Sequence, residues 1–250
     1  LQELTVTGNL INKQLTTIDI NSGSRSWRSP AGGNLYDKLE GDGDIHFALG
    51  TANFQPHTPC EIQNGDQATL DSLSNSIGKP ISVTGFFRCL FEHPGYWDKA
   101  DAHIFEIHPV GNLAIDGQNF GFPVGRPDSN AIHPWDAKVI NQDANVRVTY
   151  DATSDTLQFS NTGKMDENYV QITGQVSNIQ ISNAQDGLSL FQFDSQDIGY
   201  TITALCLPNT NAFAQLSNLN NGDTVTLLGL RNIDLDQTIK NQQYVINILA

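Results

Sequence analysis

Short runs in which apolar and polar residues alternate dominate the chain, and Gly, Asn and Asp punctuate them. Alternation with a period of two turns every second side chain towards one face, so these runs predict half-buried β-strands. In the first half the expected strands cover Glu3 to Ile11, Asp44 to Leu49, Cys60 to Gln63, Ile81 to Leu90 and His103 to Val110. In the second half they cover Tyr169 to Ile181, Leu188 to Phe193, Tyr200 to Leu207, Thr224 to Asp234 and Tyr244 to Leu249. Helical spacing is confined to two short segments, one carrying Leu70, Leu73 and Ile77, the other Ala212, Phe213, Leu216 and Leu219.

The two halves repeat one another. Gly78-Lys79-Pro80-Ile81-Ser82-Val83-Thr84-Gly85 matches Gly222-Asp223-Thr224-Val225-Thr226-Leu227-Leu228-Gly229 at an offset of 144 (222 − 78), and Asp42-Gly43 falls on Asp186-Gly187 at the same offset. Val6 to Leu10 resembles Ile172 to Val176 at an offset of 166 (172 − 6), so the first copy has 22 more residues (166 − 144) between its first two strands. Each copy therefore reads as three strands, a short helix and two strands, with a glycine inside strands one and four. That order predicts an all-β chain of two tandem OB-fold-like five-stranded Greek-key barrels, the glycines marking sharp bends. The first barrel is expected over residues 1–112 and the second over 169–250. Between them, 113–168 reads as a linker with a β-hairpin insertion, Asn145 to Tyr150 and Thr156 to Asn161.

Charge and composition narrow the partners. The 250 residues hold 27 Asp and Glu against 13 Lys and Arg, a net charge of −14. Such an acid excess leads us to expect that nucleic acid is disfavoured as a partner, since strand binding draws on neutralised phosphates. No run approaches the ~18 apolar residues of a membrane span. Few Lys, many Asn, Gln, Ser and Thr, and no signal segment lead to the expectation of a soluble protein, secreted or periplasmic. Cys60, Cys89 and Cys206 are too few for a disulfide scaffold; one bridge between Cys60 and Cys89 and three buried free thiols are the alternatives.

Candidate chemistry emerges where the copies differ. Asp44 and His46 stand where the second copy has Leu188 and Leu190, and the fifth strand carries Glu106 and His108. Alternation puts Asp44 with His46 on one face of strand two and Glu106 with His108 on one face of strand five, with Glu61 on strand three between them. Asp44, His46, Glu61, Glu106 and His108 are thus expected to converge as a candidate metal site. Imidazoles with carboxylates suit a divalent transition metal, zinc or manganese, better than calcium. Arg88 and His93 are candidates to handle a proton beside it.

The first copy's extra length falls in the loop joining strands one and two, which an OB-fold uses for ligands together with the loop joining strands four and five. The first loop contains Arg25, Trp27 and Arg28, and the second contains His93, Tyr96 and Trp97; with Arg88 they form the candidate ligand-binding set. Aromatic faces stack on sugars and bases alike, and neutral glycans make no demand for a basic groove. No phosphate loop, nucleophile elbow, His-Glu-x-x-His or dinucleotide fingerprint is present.

Asp42-Gly43-Asp44-Ile45-His46, Cys60-Glu61, Val83-Thr84-Gly85-Phe86-Phe87, His93 and Glu106-Ile107-His108-Pro109-Val110 together resemble a family of small, uncharacterised bacterial proteins with Gly-Asp-x-His and Glu-x-His-Pro-Val strands. The similarity covers about residues 40–110 and departs at Glu92-His93-Pro94-Gly95, where a Pro separates His from Gly. It implies that the polar cluster is a defined feature and implies no reaction. The leading expectation is a tandem OB-fold protein that binds an oligosaccharide or other small polar ligand on the first barrel. A metal-dependent hydrolase of phosphoesters is the alternative reading, and a structural protein that self-assembles by strand addition is the third.

Overall fold

The computed structural model describes residues 3–10, 17–20, 25–27, 44–50, 58–62, 66–92, 103–122, 147–160, 169–182, 188–196, 198, 200–208, 210–241 and 245–250. Two compact units divide the chain, one formed by residues 1–88 and 96–133 and the other by 89–95 and 134–250.

In the first unit the elements are β1 (Glu3–Leu10), β2 (Thr17–Ile20), β3 (Arg25–Trp27), β4 (Asp44–Gly50), β5 (Thr58–Ile62), α1 (Gln67–Ser74), β6 (Pro80–Glu92), β7 (His103–Ile115) and β8 (Gln118–Gly121). The sheet runs β1-β6-β7-β5-β4, and β4 pairs back to β1 through Asn9 with Gly50 and Leu10 with Leu49, which closes it. In the second unit a separate hairpin, β9 (Arg147–Asp151) and β10 (Thr156–Ser160), precedes β11 (Tyr169–Gln180), β12 (Ser189–Asp194), β13 (Thr201–Cys206), α2 (Asn211–Leu216), β14 (Thr224–Ile233), α3 (Leu235–Asn241) and β15 (Ile246–Leu249). Here the closed barrel runs β11-β12-β13-β15-β14. Both circuits join strands one, two, three, five and four in that order. Strand three pairs parallel with strand five in each, at Cys60 with Ile107 and at Ala204 with Ile248. Both units are OB-fold barrels.

Local chemistry repeats with the sequence offset. Asp66 caps α1 by accepting from the Thr69 N–H at 2.8 Å, and Thr210, 144 residues on, caps α2 by accepting from the Phe213 N–H at 3.1 Å. After each helix the chain turns at a glycine in the left-handed region, Gly78 with φ 84° and Gly222 with φ 95°. These turns are tied to strand one in the same way. Leu10 N–H donates to the Lys79 carbonyl and Gly78 N–H to the Leu10 carbonyl, just as Val176 N–H donates to Asp223 and Gly222 N–H to Val176. Leu10 and Val176 are 166 apart, whereas the strand-two pairings Ile45 with Ile62 and Ser189 with Cys206 are already 144 apart, so the 22 extra residues lie between strands one and two.

Gly85 and Gly229 mark where strands four and five press together. A Cβ at Gly85 would lie 2.5 Å from the Pro109 carbonyl oxygen, and one at Gly229 2.5 Å from that of Leu249. Inside each barrel the alternating residues form one core: Ile45, Phe47, Ile62, Leu73, Val83 and Ile107 in the first, and Val170, Phe193, Ile202, Ala204 and Ile248 in the second. Fully burying side chains of this size stabilises by about 1.5–3 kcal/mol each.

Three features were not read from the pattern. The long first loop contains β2 and β3, which pair with each other and extend the sheet beyond β4. Strand five of the first barrel continues past Val110 and returns as β8 through Asp116-Gly117, both at positive φ as a type I′ turn requires. Strands four and five of the second barrel are joined by α3, where Asp234 accepts from the Gln237 N–H at 3.0 Å. Of the two expectations for the cysteines, the bridge fails: Cys60, Cys89 and Cys206 are all buried free thiols. Among the described residues no helix is long and apolar enough to cross a membrane.

Candidate functional site

Glu61 on β5, Arg88 on β6, and Glu106 and His108 on β7 alternate with core residues Cys60, Ile62 and Ile107, so they project from the face turned away from the barrel interior. All four are nevertheless buried. Arg88 Nη1 lies 2.6 Å from Glu106 Oε1 and 2.9 Å from His108 Nδ1. His108 Nδ1 is also 2.9 Å from Glu61 Oε2 and 3.1 Å from Glu106 Oε1. One ligand atom each from Glu61, Glu106 and His108 therefore lies within 4.8 Å of the others.

A single ring nitrogen cannot both accept from Arg88 and donate to a carboxylate, and charge decides between the two. Two carboxylates and one guanidinium sum to −1, and isolated charge is expensive to bury. A proton on His108 makes the cluster neutral and lets Nδ1–H donate to Glu61. Burial works against that charge, but the fields of Glu61 and Glu106 and their hydrogen bonds outweigh it, and His108 is pushed up to about 9. Burial, with the Glu106 charge adding to it, raises the neighbouring Cys60 thiol well above its ordinary range, so Cys60 is no thiolate.

The second barrel fills the equivalent positions differently. Gly85 and Gly229 meet Ile107 and Ile248 in turn, which aligns Glu106 with Asn247 and His108 with Leu249, while the 144 offset aligns Glu61 with Leu205 and Arg88 with Asn232. All four of these counterparts are buried, and Asn232 Nδ2 donates to Asn247 Oδ1 at 2.8 Å. A neutral amide pair and two leucines occupy the place that four ionisable groups hold in the first barrel.

Of the residues expected at a metal site, the structure thus brings Glu61, Glu106 and His108 together. In backbone register His46 pairs with Glu61 and Asp44 with Asp19 of β2. The side chains of Asp44 and His46 lie outside what is described. Arg88, expected both beside the metal-site residues and in the ligand-binding set, is fully buried against Glu106. Arg25 and Trp27 stand on β3, paired with Ile20 and Ile18. Arg28, His93, Tyr96 and Trp97 lie outside the described residues. Sequence reasoning missed an aromatic pair on the other face of β6 and β7. Phe87 and Phe105 stack with centroids 5.4 Å apart and planes 12° apart, and they are 39% and 43% exposed. The signal was present, because each immediately precedes a cluster residue, and their counterparts Arg231 and Ile246 are buried.

No protein-family model matches the chain, and no curated protein matches it. Solved structures similar to it include the wild-type single-stranded DNA-binding protein from Thermus aquaticus, at 10% identity and a TM-score of 0.25, covering 100% of this chain and 90% of that one. A deletion mutant of that protein matches at 11% identity and a TM-score of 0.24, covering 100% and 91%. The Ifi202 HINa domain in complex with 20-base-pair double-stranded DNA matches at 11% identity and a TM-score of 0.26, covering 100% and 93%. Against the expectation that nucleic acid is disfavoured as a partner, these solved structures are of DNA-binding proteins. That expectation rested on net charge, a property of the whole surface, whereas strand binding also draws on the local groove and on stacking.

Proposed function

We propose that the chain is an OB-fold binding protein that takes a chain-like ligand built of ring units, such as an oligosaccharide or a single-stranded oligonucleotide, on its first barrel. The observation that carries this reading is the β2–β3 hairpin. In an OB-fold, strands two and three form the ligand face and the loop joining strands one and two flanks it. The hairpin pairs with strand two through Thr17 with His46 and Ile18 with Ile45, so it widens that face by two strands. Its outer strand carries Trp27, an aromatic for ring stacking, and Arg25, a fixed charge. Stacking on an aromatic is tolerant of ring type, which suits a repeating ligand.

A panel of oligosaccharides and single-stranded oligonucleotides, screened against wild type, Trp27→Ala and Trp97→Ala, tests the proposal. The retained ligand should bind Trp27→Ala more weakly by about 1–3 kcal/mol, the worth of one stacked ring. Equal retention by wild type and both variants, or retention of nothing by wild type, would remove the reading.

A further inference from the structure

We propose that Arg88 is the built-in cation of a cage formed by Glu61, Glu106 and His108, so that the protein's own guanidinium occupies a place that would otherwise take a divalent transition metal ion. The inference stands apart from the ligand reading above. Two carboxylates and an imidazole nitrogen within 4.8 Å are a donor set suited to zinc or manganese. Such an ion sits about 2.0–2.2 Å from each nitrogen or oxygen ligand. Arg88 Nη1 is already 2.6 Å from Glu106 Oε1 and 2.9 Å from His108 Nδ1, so the guanidinium takes up the space beside two of the atoms such an ion would bind. The ion would also meet a fixed positive charge that cannot be neutralised by losing a proton.

The second barrel supports this pairing of cage and cation. Where Asn232 replaces Arg88, no carboxylate remains either: Asn247 and the two leucines, Leu205 and Leu249, complete the set. At these four positions the first barrel has both the acids and the arginine and the second has neither, as expected if the arginine balances the acids. Without Arg88 the cage would hold buried negative charge and an open centre, with three protein ligands, the number that catalytic zinc sites provide.

The test uses the full chain as wild type, Arg88→Ala and Arg88→Lys, each stripped with chelator, incubated with zinc or manganese chloride, desalted, and assayed for metal content and melting temperature. Wild type and Arg88→Lys should keep less than about 0.1 equivalent with no change in melting temperature, whereas Arg88→Ala should keep about one equivalent and melt higher with metal. Adding Glu106→Gln to Arg88→Ala should abolish that uptake, which separates the cage from adventitious surface sites. About one equivalent on wild type, or none on folded Arg88→Ala, overturns the inference. If Arg88→Ala folds only with zinc, metal-coupled folding supports it. If it does not fold in either condition, Arg88→Met keeps the apolar stem without the charge and is judged by the same two outcomes.

Discussion

His108 reaches from β7 to β5 and places Nδ1 2.9 Å from Glu61 Oε2, with both side chains buried. The contact couples the stability of the first barrel to pH. Folding raises His108 from 6.5 to about 9, because Glu61 and Glu106 outweigh the cost of burying the charge. The folded state therefore holds this proton more tightly than the unfolded chain. Its stabilisation is complete below about pH 6.5 and is lost as pH rises through about 9. A shift of this size corresponds to about 3 kcal/mol at 1.36 kcal/mol per unit. Urea unfolding at intervals from pH 6 to 10 should show the midpoint falling across that window. A flat profile would show that His108 is not protonated in the fold. Raised buried thiols such as Cys60 add their own loss only above the ordinary thiol value of 9.0.

The cluster should be intolerant of partial removal and tolerant of complete replacement. Glu106→Ala leaves the Arg88 and His108 charges short of a partner and is expected to cost about 3–5 kcal/mol. The fourfold variant Glu61→Leu, Arg88→Asn, Glu106→Asn and His108→Leu, which installs the second barrel's own residues, should match or exceed wild-type stability by up to about 4 kcal/mol. Chemical denaturation of the two variants decides this. A fourfold variant weaker than Glu106→Ala would show that the two barrels do not use these positions equivalently.

Glycine at the crossing of strands four and five is a steric requirement. Gly85→Ala would drive a Cβ to 2.5 Å from the Pro109 carbonyl oxygen and 2.7 Å from Ile107, both fixed in the barrel wall. We expect a loss of about 1–3 kcal/mol from this overpacking. Gly121→Ala on β8 has nothing within 4 Å of the new atom. It should stay within about 0.5 kcal/mol of wild type, as surface substitutions do. Thermal unfolding of the two variants side by side gives the comparison.

The two helix caps should be worth similar amounts. Asp66→Ala and Thr210→Ala each strand an N–H donor and should cost about 1 kcal/mol by denaturant unfolding. Asp66 differs in being titratable. Hydrogen bonds from the Thr69 side chain and backbone hold its carboxyl below the usual range, so its cap stabilises above that range and is lost as pH falls. The gap between wild type and Asp66→Ala should therefore shrink in acid, whereas the Thr210→Ala gap should not.

Legibility followed the range of the interactions. The turn glycines and the strand-four glycines were visible as residues 144 apart, because each is set by neighbours in the chain or by one strand crossing; the caps Asp66 and Thr210 share that offset but were found only in the structure. Glu61, Glu106 and His108 were legible as a convergent set because period-two alternation and strand order place them on one face. Arg88 was read both as a group beside that set and as part of the ligand-binding set; its full burial was not legible, because only the carboxylates on β5 and β7 offset the cost of burying its charge. Helix α3 carried readable signals, Asp234 before it and Lys240 in its last turn, but lay in a stretch whose apolar residues suited a strand end.

The sequence by itself determined that this chain repeats, that each copy is a five-stranded barrel with a short helix between strands three and four, and that only the first copy concentrates acids and histidines. These follow from side-chain periodicity and local backbone needs, which act within a few residues. Tertiary structure alone decided what that concentration is. Closing the barrel sets β5, β6 and β7 side by side, and burial then demands that Glu61 and Glu106 be balanced by Arg88 and the proton on His108. Charge compensation acts across strands and depends on exclusion from water, so no pattern along the chain could specify it.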